Sequence, residues 1–162
     1  MGQALQVLAI LLVAVAMSLA LAHALEMPGK LRLSEPEYRM VQQIFYPGFT
    51  IAGGCEPLAI LVLLALVIVA RGGGIGFWLE LASLVMLAAM HGVYWRFVHP
   101  TNKVWVRDLA LDRSGARFFA AVGAGGAAGW TRWRDQWEYA HVARAALAFL
   151  GLTALAVALV LR

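Results

Sequence analysis

Apolar residues in this chain come in long, nearly unbroken runs, without the 3.6-residue period of a water-facing helix or the alternation of a half-buried strand. A helix that crosses hydrocarbon needs about 20 consecutive, mostly apolar residues. Four stretches meet that length, roughly 4–25, 52–70, 76–97 and 139–161. They predict an all-α fold, an integral membrane four-helix bundle. The very short connection Arg71–Ile75 between the second and third runs makes it up-down-up-down. The chain, 1–162, reads as a single membrane domain. Small residues at Ala20, Ala22 and Ala24 would suit cleavage of a secretory leader. The first run has no Lys or Arg before it, however, and is long for a leader, so it is expected to stay as a span.

Between the runs lie a helical segment and a long loop. Ser34-Glu35-Pro36-Glu37 spells a capping box, Ser34 as N-cap and Glu37 reaching back to it. Tyr38, Val41, Ile44 and Phe45 then recur at helical spacing before Pro47-Gly48, which predicts an interfacial helix over roughly 35–46. The segment 98–138 reads as a long loop capping the same side. Its Gly123–Gly129 run, GAGGAAG, reads as flexible linker, because a phosphate loop needs a strand before it and a helix after it.

Composition changes this picture little. The chain is 62% apolar and 14% charged, against roughly 45–50% and about 25% in soluble domains, which excludes disorder, a coiled coil and an ordinary soluble enzyme. The net charge of +4 serves orientation and implies no nucleic acid. Lys30, Arg32, Arg39, Arg96, Lys103, Arg107, Arg113, Arg117, Arg132 and Arg134 fall on the side of the long connections, against Arg71 and Arg162 opposite. The positive-inside rule therefore places both long loops in the cytoplasm and both termini outside. Five of the six tryptophans, Trp95, Trp105, Trp130, Trp133 and Trp137, share the basic side, where an interfacial cap at headgroup depth is expected. The single cysteine, Cys55, cannot form an internal disulfide and reads as a small packing residue.

Ionisable residues inside spans are costly, about 2.5–3.5 kcal/mol each on insertion scales, so their placement carries information. His23 and Glu26 close the first span, Glu56 opens the second, His91 lies near the end of the third, and Glu138 and His141 open the fourth. In an up-down-up-down bundle all of these ends share one membrane face, so the residues converge. His23-x-x-Glu26 and Glu138-x-x-His141 are i,i+3 pairs, each on one helix face. His23, Glu26, Glu56, His91, Glu138 and His141 thus form a candidate metal set suited to iron, manganese or zinc, like the carboxylate-histidine sites of soluble bundles. Non-covalent haem on His23, His91 or His141 is an alternative, and no cofactor at all is another. Glu26 with Lys30, or Glu138 with Arg134 or Arg144, would instead satisfy the charges without a ligand. Arg144, one turn deeper than His141, either holds an anionic or carbonyl oxygen or neutralises Glu56 or Glu138. Glu80 belongs to the opposite side and is expected to snorkel or pair with Arg71. Tyr94 is a candidate hydrogen-bond donor or proton shuttle, and His91, Tyr94 and Trp137 are candidate ligand contacts.

Several motifs resemble those of a bacterial four-transmembrane-helix family of unknown function that includes the anthrone oxygenases. His23-Ala-Leu-Glu26-Met-Pro28-Gly-Lys30 is similar to its HxxExPxK signature, and Tyr38-x-x-Val41-Gln42-x-Ile44 to a YxxVQxI segment. His99-Pro100-Thr-Asn102 resembles HPxN, and Gln136-Trp137-Glu138-Tyr139-Ala-His141 resembles QWEYxH. The resemblance implies roles for His23, Glu26, Lys30, Tyr38, Gln42, His99, Asn102, Trp137, Glu138 and His141, with His99 and Asn102 joining the ligand contacts. It also implies a bacterial inner-membrane location. Pro47-Gly48-Phe49 and the polyglycine run depart from the pattern.

The function expected is that of an oxidoreductase, anthrone-oxygenase-like, acting on an apolar, aromatic or quinone-like small molecule drawn from the lipid bilayer. Candidate catalytic residues are His23, Glu26, Glu138, His141 and Arg144. Either a metal activates oxygen, or a histidine base (His141 tuned by Glu138, or His23 tuned by Glu26) removes an acidic C–H proton and the carbanion meets oxygen directly. The alternatives are a non-catalytic binding or scaffold subunit and a proton- or ion-coupled transport module, the latter requiring a homo-oligomer.

Overall fold

The computed structural model describes residues 2–70, 73–106, 111, 113–119 and 129–161. Among them there is helix and no strand. The helices are α1 (Gly2–Lys30), α2 (Glu35–Ile44), α3 (Gly48–Ala52), α4 (Cys55–Val69), α5 (Ile75–Val93), α6 (His99–Trp105), α7 (Arg113–Phe118) and α8 (Trp130–Val160). A π-helical turn, Tyr94–Val98, joins α5 to α6. Four helical stretches, Gly2–Lys30, Gly48–Val69, Ile75–Trp105 and Trp130–Val160, are long and apolar enough to cross a membrane.

Each long helix buries a narrow stripe and turns its remaining apolar surface outward. On α1 the stripe is Gln6, Ala9, Val13, Ala16, Ala20 and His23; on α4 it is Glu56, Ala59, Leu63 and Leu66. On α5 it is Glu80, Ser83, Leu87 and Met90, and on α8 it continues from Arg144 through Ala148, Gly151, Leu155 and Ala158. Large apolar side chains such as Leu11, Leu61, Val85 and Phe149 point away from the interior, the arrangement of helices whose solvent is lipid. Helix α8 packs on α1 and α5, and α4 packs on α1 and α5, closing a ring of four. Lipid tails are as apolar as leucine, so small residues that let backbones approach must drive this packing. At Gly151 a Cβ would sit 3.4 Å from Ser83 Oγ, which shows how closely α8 lies on α5.

Several element boundaries differ from expectation. The third long helix runs on to Trp105 and the fourth begins at Trp130, so much of the expected loop 98–138 is helical. Pro100 falls in the first turn of α6, where a missing N–H costs little. The Gly123–Gly129 linker (apart from Gly129), the turn residues Arg71 and Gly72, and the orienting charges Arg107 and Arg162 lie outside the described residues. Glu80 is fully buried, so it does not snorkel; its expected partner Arg71 is also outside the described residues.

The capping box forms as read: Glu37 Oε2 accepts from the Ser34 backbone N–H at 2.8 Å and from its hydroxyl at 2.6 Å. These bonds hold the Glu37 carboxyl below its usual range. The inward face of α2, however, is Tyr38 and Gln42, followed by Phe45, while Ile44 points outward. Tyr38 and Gln42 turn inward because polar partners wait for them there.

Candidate functional site

One end of α1 meets the start of α4, the end of α5 and the start of α8, and there the polar residues of the interior meet. The rings of His23 and His141 meet at a tilt of 57°, centroids 4.4 Å apart. Arg144 Nη1 donates to His141 Nδ1 at 3.2 Å, and Arg144 Nη2 to Glu56 Oε2 at 2.5 Å. Glu56 Oε1 lies 3.1 Å from His91 Nδ1, while the Trp95 indole N–H donates to His91 Nε2 at 2.9 Å. Indole has only a donor, so His91 is neutral with its proton on Nδ1, given to Glu56.

On the other side of His23, Lys30 Nζ pairs with Glu26 Oε2 at 2.7 Å and faces Glu138 Oε1 at 3.9 Å. The Tyr38 hydroxyl donates to the same Glu138 oxygen at 2.8 Å. Burial, with the adjacent Glu138 carboxylate second, pushes the Tyr38 phenol well above its usual value. Lys30 is sheathed by the rings of Phe45 and Trp137, 4.4 and 4.8 Å from their centroids, a cation–π cradle for an ammonium withdrawn from water.

The six converging residues therefore do come together, but with two cations threaded among them. Among the described residues, no group of three or more His, Cys, Asp or Glu side chains is arranged to hold a metal ion. The reason is visible in the pairings. Glu56 is spent on Arg144 and His91, Glu138 on Tyr38 and Lys30, and both ring nitrogens of His91 are engaged. The touching rings of His23 and His141 leave no room for a porphyrin between them. Arg144 neutralises Glu56, and Arg134 pairs with Asp135 and the Leu31 carbonyl and acts on Glu138 only through space. The expected tuning of His141 by Glu138 is not made: the Glu138 contacts go to Tyr38 and Lys30. His23 Nδ1 lies 3.7 Å from Glu26, beyond hydrogen-bond distance.

Of these groups, His23, Glu56, His91, His141 and Arg144 line a cavity of about 470 Å³, within the size range of small-molecule sites. Phe45 and Phe49 from the α2–α3 segment pack on His23, and Trp137 packs on both His23 and His141. Tyr94, Trp95 and Trp105 continue the wall, with Phe118 and Phe119 of the α7 segment against His99. Trp105 and Trp137 are thus buried in the site and do not belong to a headgroup cap. Cys55 also lines the cavity, half-buried.

Residues next to the site hold it in register. The Trp137 indole N–H donates to Asn102 Oδ1 at 2.7 Å, and Gln136 Nε2 donates to the Phe97 carbonyl and to Thr101 Oγ1, both at 3.1 Å. Tyr94 Oη and His99 Nδ1 lie 3.5 Å apart, and Arg144 lies over the Tyr94 ring. Spacing offered Lys30 as the partner of Glu26, a pair the structure makes, and placed Tyr38 and Phe45 on the apolar face of α2, but it gave no site role to these three, to Gln42, or to the wall aromatics Tyr46 and Phe49. The i,i+4 spacing of Phe45 and Phe49 across Pro47 was the available signal for this part of the wall. No family model matches the chain, and neither a curated protein nor a solved structure does.

Proposed function

We propose that the protein is a multi-pass membrane oxidoreductase whose cavity takes an apolar aromatic molecule from the bilayer. The four long helices cross up-down-up-down, and α2 lies along the membrane surface with Met40 and Ile44 toward lipid. The meeting of one end of α1 and α5 with the start of α4 and α8 supports this alternation. The excess of Lys and Arg beside that end supports a cytoplasmic placement of the site in a bacterial inner membrane.

The observation that carries the reading is the cavity itself, walled by aromatic rings and floored by His23, His141, Arg144 and Glu56. Aromatic walls take a flat apolar molecule, and a buried imidazole is suited to proton transfer at carbon. His141 turns its Nδ1 lone pair toward Arg144, so its other, unpartnered nitrogen Nε2 carries the proton, whereas His23 Nδ1, also without a hydrogen-bond partner among the described residues, is open to hold a lone pair. His23 therefore acts as the base. It takes a proton from an activated methylene, the electron pair left on carbon adds to and reduces dioxygen, and the proton held on His23 returns to the resulting peroxide anion, giving a carbon-bound hydroperoxide. Loss of water from that hydroperoxide gives the ketone. The meeting of Lys30, Glu138, His23, His141, Asn102 and Trp137 in one place also supports kinship with the anthrone oxygenases.

The test is oxygen uptake by the purified protein with anthrone as substrate, alongside metal analysis and an optical spectrum. Turnover without stoichiometric metal or chromophore, lost in His23→Ala, is expected. Stoichiometric iron, manganese, zinc or haem that disappears in His141→Ala would overturn the metal-free route. Folded protein with no turnover, and normal stability in both variants, would sink the enzyme reading in favour of a scaffold.

A further inference from the structure

Four N–H groups of residues that line the cavity have no acceptor among the described residues: Gln42 Nε2, Arg144 Nε, Trp105 Nε1 and His141 Nε2. Trp105 and His141 are the most deeply buried of these, each only 4% exposed, and buried N–H groups in folded proteins nearly always have a partner. Trp105 and His141 line the same cavity.

The direction of the His141 bond is set from outside the ring. A guanidinium only donates, so His141 Nδ1, 3.2 Å from Arg144 Nη1, holds the lone pair and the proton of the neutral ring sits on Nε2. Arg144 is itself anchored by Glu56, Glu56 by His91, and His91 by the Trp95 indole. Every link in this chain has one permitted polarity. Starting from an indole that can only donate, it ends at an imidazole that is compelled to donate.

We propose that His141 is a fixed hydrogen-bond donor and not a base, that it acts with Trp105 as a donor pair for oxygen on the bound molecule, and that Arg144 and Glu56 are positioning residues that lock its tautomer. The role rests on the reading of the cavity as an aromatic-ligand site. A carbonyl or phenolate oxygen has the lone pairs that both donors lack, and negative charge developing on it during proton loss from carbon would strengthen both bonds.

The experiment uses the full chain in lipid nanodiscs and has two arms. In the first, nitrogen-15 NMR of labelled histidine reads the His141 tautomer with no ligand present. The Nε2–H form is expected in the wild type and in Arg144→Lys, and a mixture of tautomers in Arg144→Met. A charged or Nδ1–H ring in the wild type would overturn the proposal, and that spectrum suffices if Arg144→Met does not fold. In the second, equilibrium dialysis compares 1,4-naphthoquinone with naphthalene, each corrected for uptake by empty nanodiscs. The quinone is expected to bind about tenfold more tightly, and the ratio to fall toward one in His141→Phe/Trp105→Phe. Equal binding of the two to the wild type would remove the donor role and leave the aromatic cavity standing. Failure of both to bind would remove the cavity reading, while the tautomer spectrum still judges His141.

Discussion

The Arg144–Glu56 pair offers the sharpest energetic test of the interior. Arg144 is 7% exposed and Glu56 3%, with 2.5 Å between Nη2 and Oε2, so neither charge can turn to water when the other is lost. Removing one partner of a buried pair costs about 3–5 kcal/mol, because the survivor stays as an uncompensated charge. Here Arg144→Met strands the Glu56 carboxylate and frees His141 Nδ1, while Glu56→Leu strands the guanidinium and leaves His91 Nδ1 without its acceptor. Each single variant should therefore lose about 3–5 kcal/mol. Replacing both removes the stranded charge, and apolar replacement of buried pairs is often neutral or better. The double variant Glu56→Leu/Arg144→Met should thus be more stable than either single one, a coupling of at least about 2 kcal/mol. The assay is a reversible unfolding titration of all four proteins in mixed micelles, followed by tryptophan fluorescence. Losses in the double variant that equal the sum of the single losses to within about 0.5 kcal/mol would refute the reasoning. They would mean that the pair is solvated through the cavity.

Three further outcomes follow from other parts of the structure. Tyr38 has its phenol pushed up by burial and by the Glu138 carboxylate, so its contribution is intact below the unfolded tyrosine value and is lost as pH rises through the folded one. Ultraviolet titration should show one tyrosine fewer ionising in the folded protein than in Tyr38→Phe plus one, and ionisation of all of them before unfolding would contradict the burial. Glu37 is held below its usual range by the Ser34 hydroxyl and N–H, so its support of α2 is present above the unfolded carboxylate value and is lost as pH falls through the folded one. Hydrogen exchange at the start of α2 should quicken in acid, and Ser34→Ala, which keeps the backbone N–H bond, should shrink that pH step. Gly151→Leu should cost about 1–3 kcal/mol by forcing α8 off Ser83 and Met86, visible as a lowered unfolding midpoint, whereas an unchanged midpoint would deny the close approach.

Much of this architecture could be read from residue order. Four apolar runs predict four long helices, and the placement of His23, Glu56, His91 and His141 at alternate run ends predicts that they meet. What could not be read is which charge takes which partner. Glu138 had Arg134, Arg144, Lys30 and Tyr38 within sequence reach, and the selection depends on helix rotation, where one residue is roughly 100°. The same limit hid the inward turn of Glu80 and the burial of Trp105 and Trp137, since an aromatic ring near a helix end is equally at home in a headgroup layer or a pocket. The helical stretch 130–138 was missed because its charged residues carry no apolar run, yet no Gly or Pro interrupts it. A metal set also looked plausible because spacing shows only that carboxylates and imidazoles are near one another. It does not show that Lys30 and Arg144 lie between them.

The π-helical turn at Tyr94–Val98 gives the long third helix two independent faces. Widening a turn by one residue swings everything beyond it by roughly 100° relative to an unbroken helix. Helix α5 can thus keep Ser83 and Leu87 against its neighbours while α6 aims His99, Thr101 and Trp105 into the cap and cavity. The difference between the two arrangements is a single codon. Deleting one residue from this turn would leave the packed half of the helix in place and rotate the cavity-facing half away. An ancestral straight helix could have acquired a new pocket wall by the reverse step, without repacking the bundle.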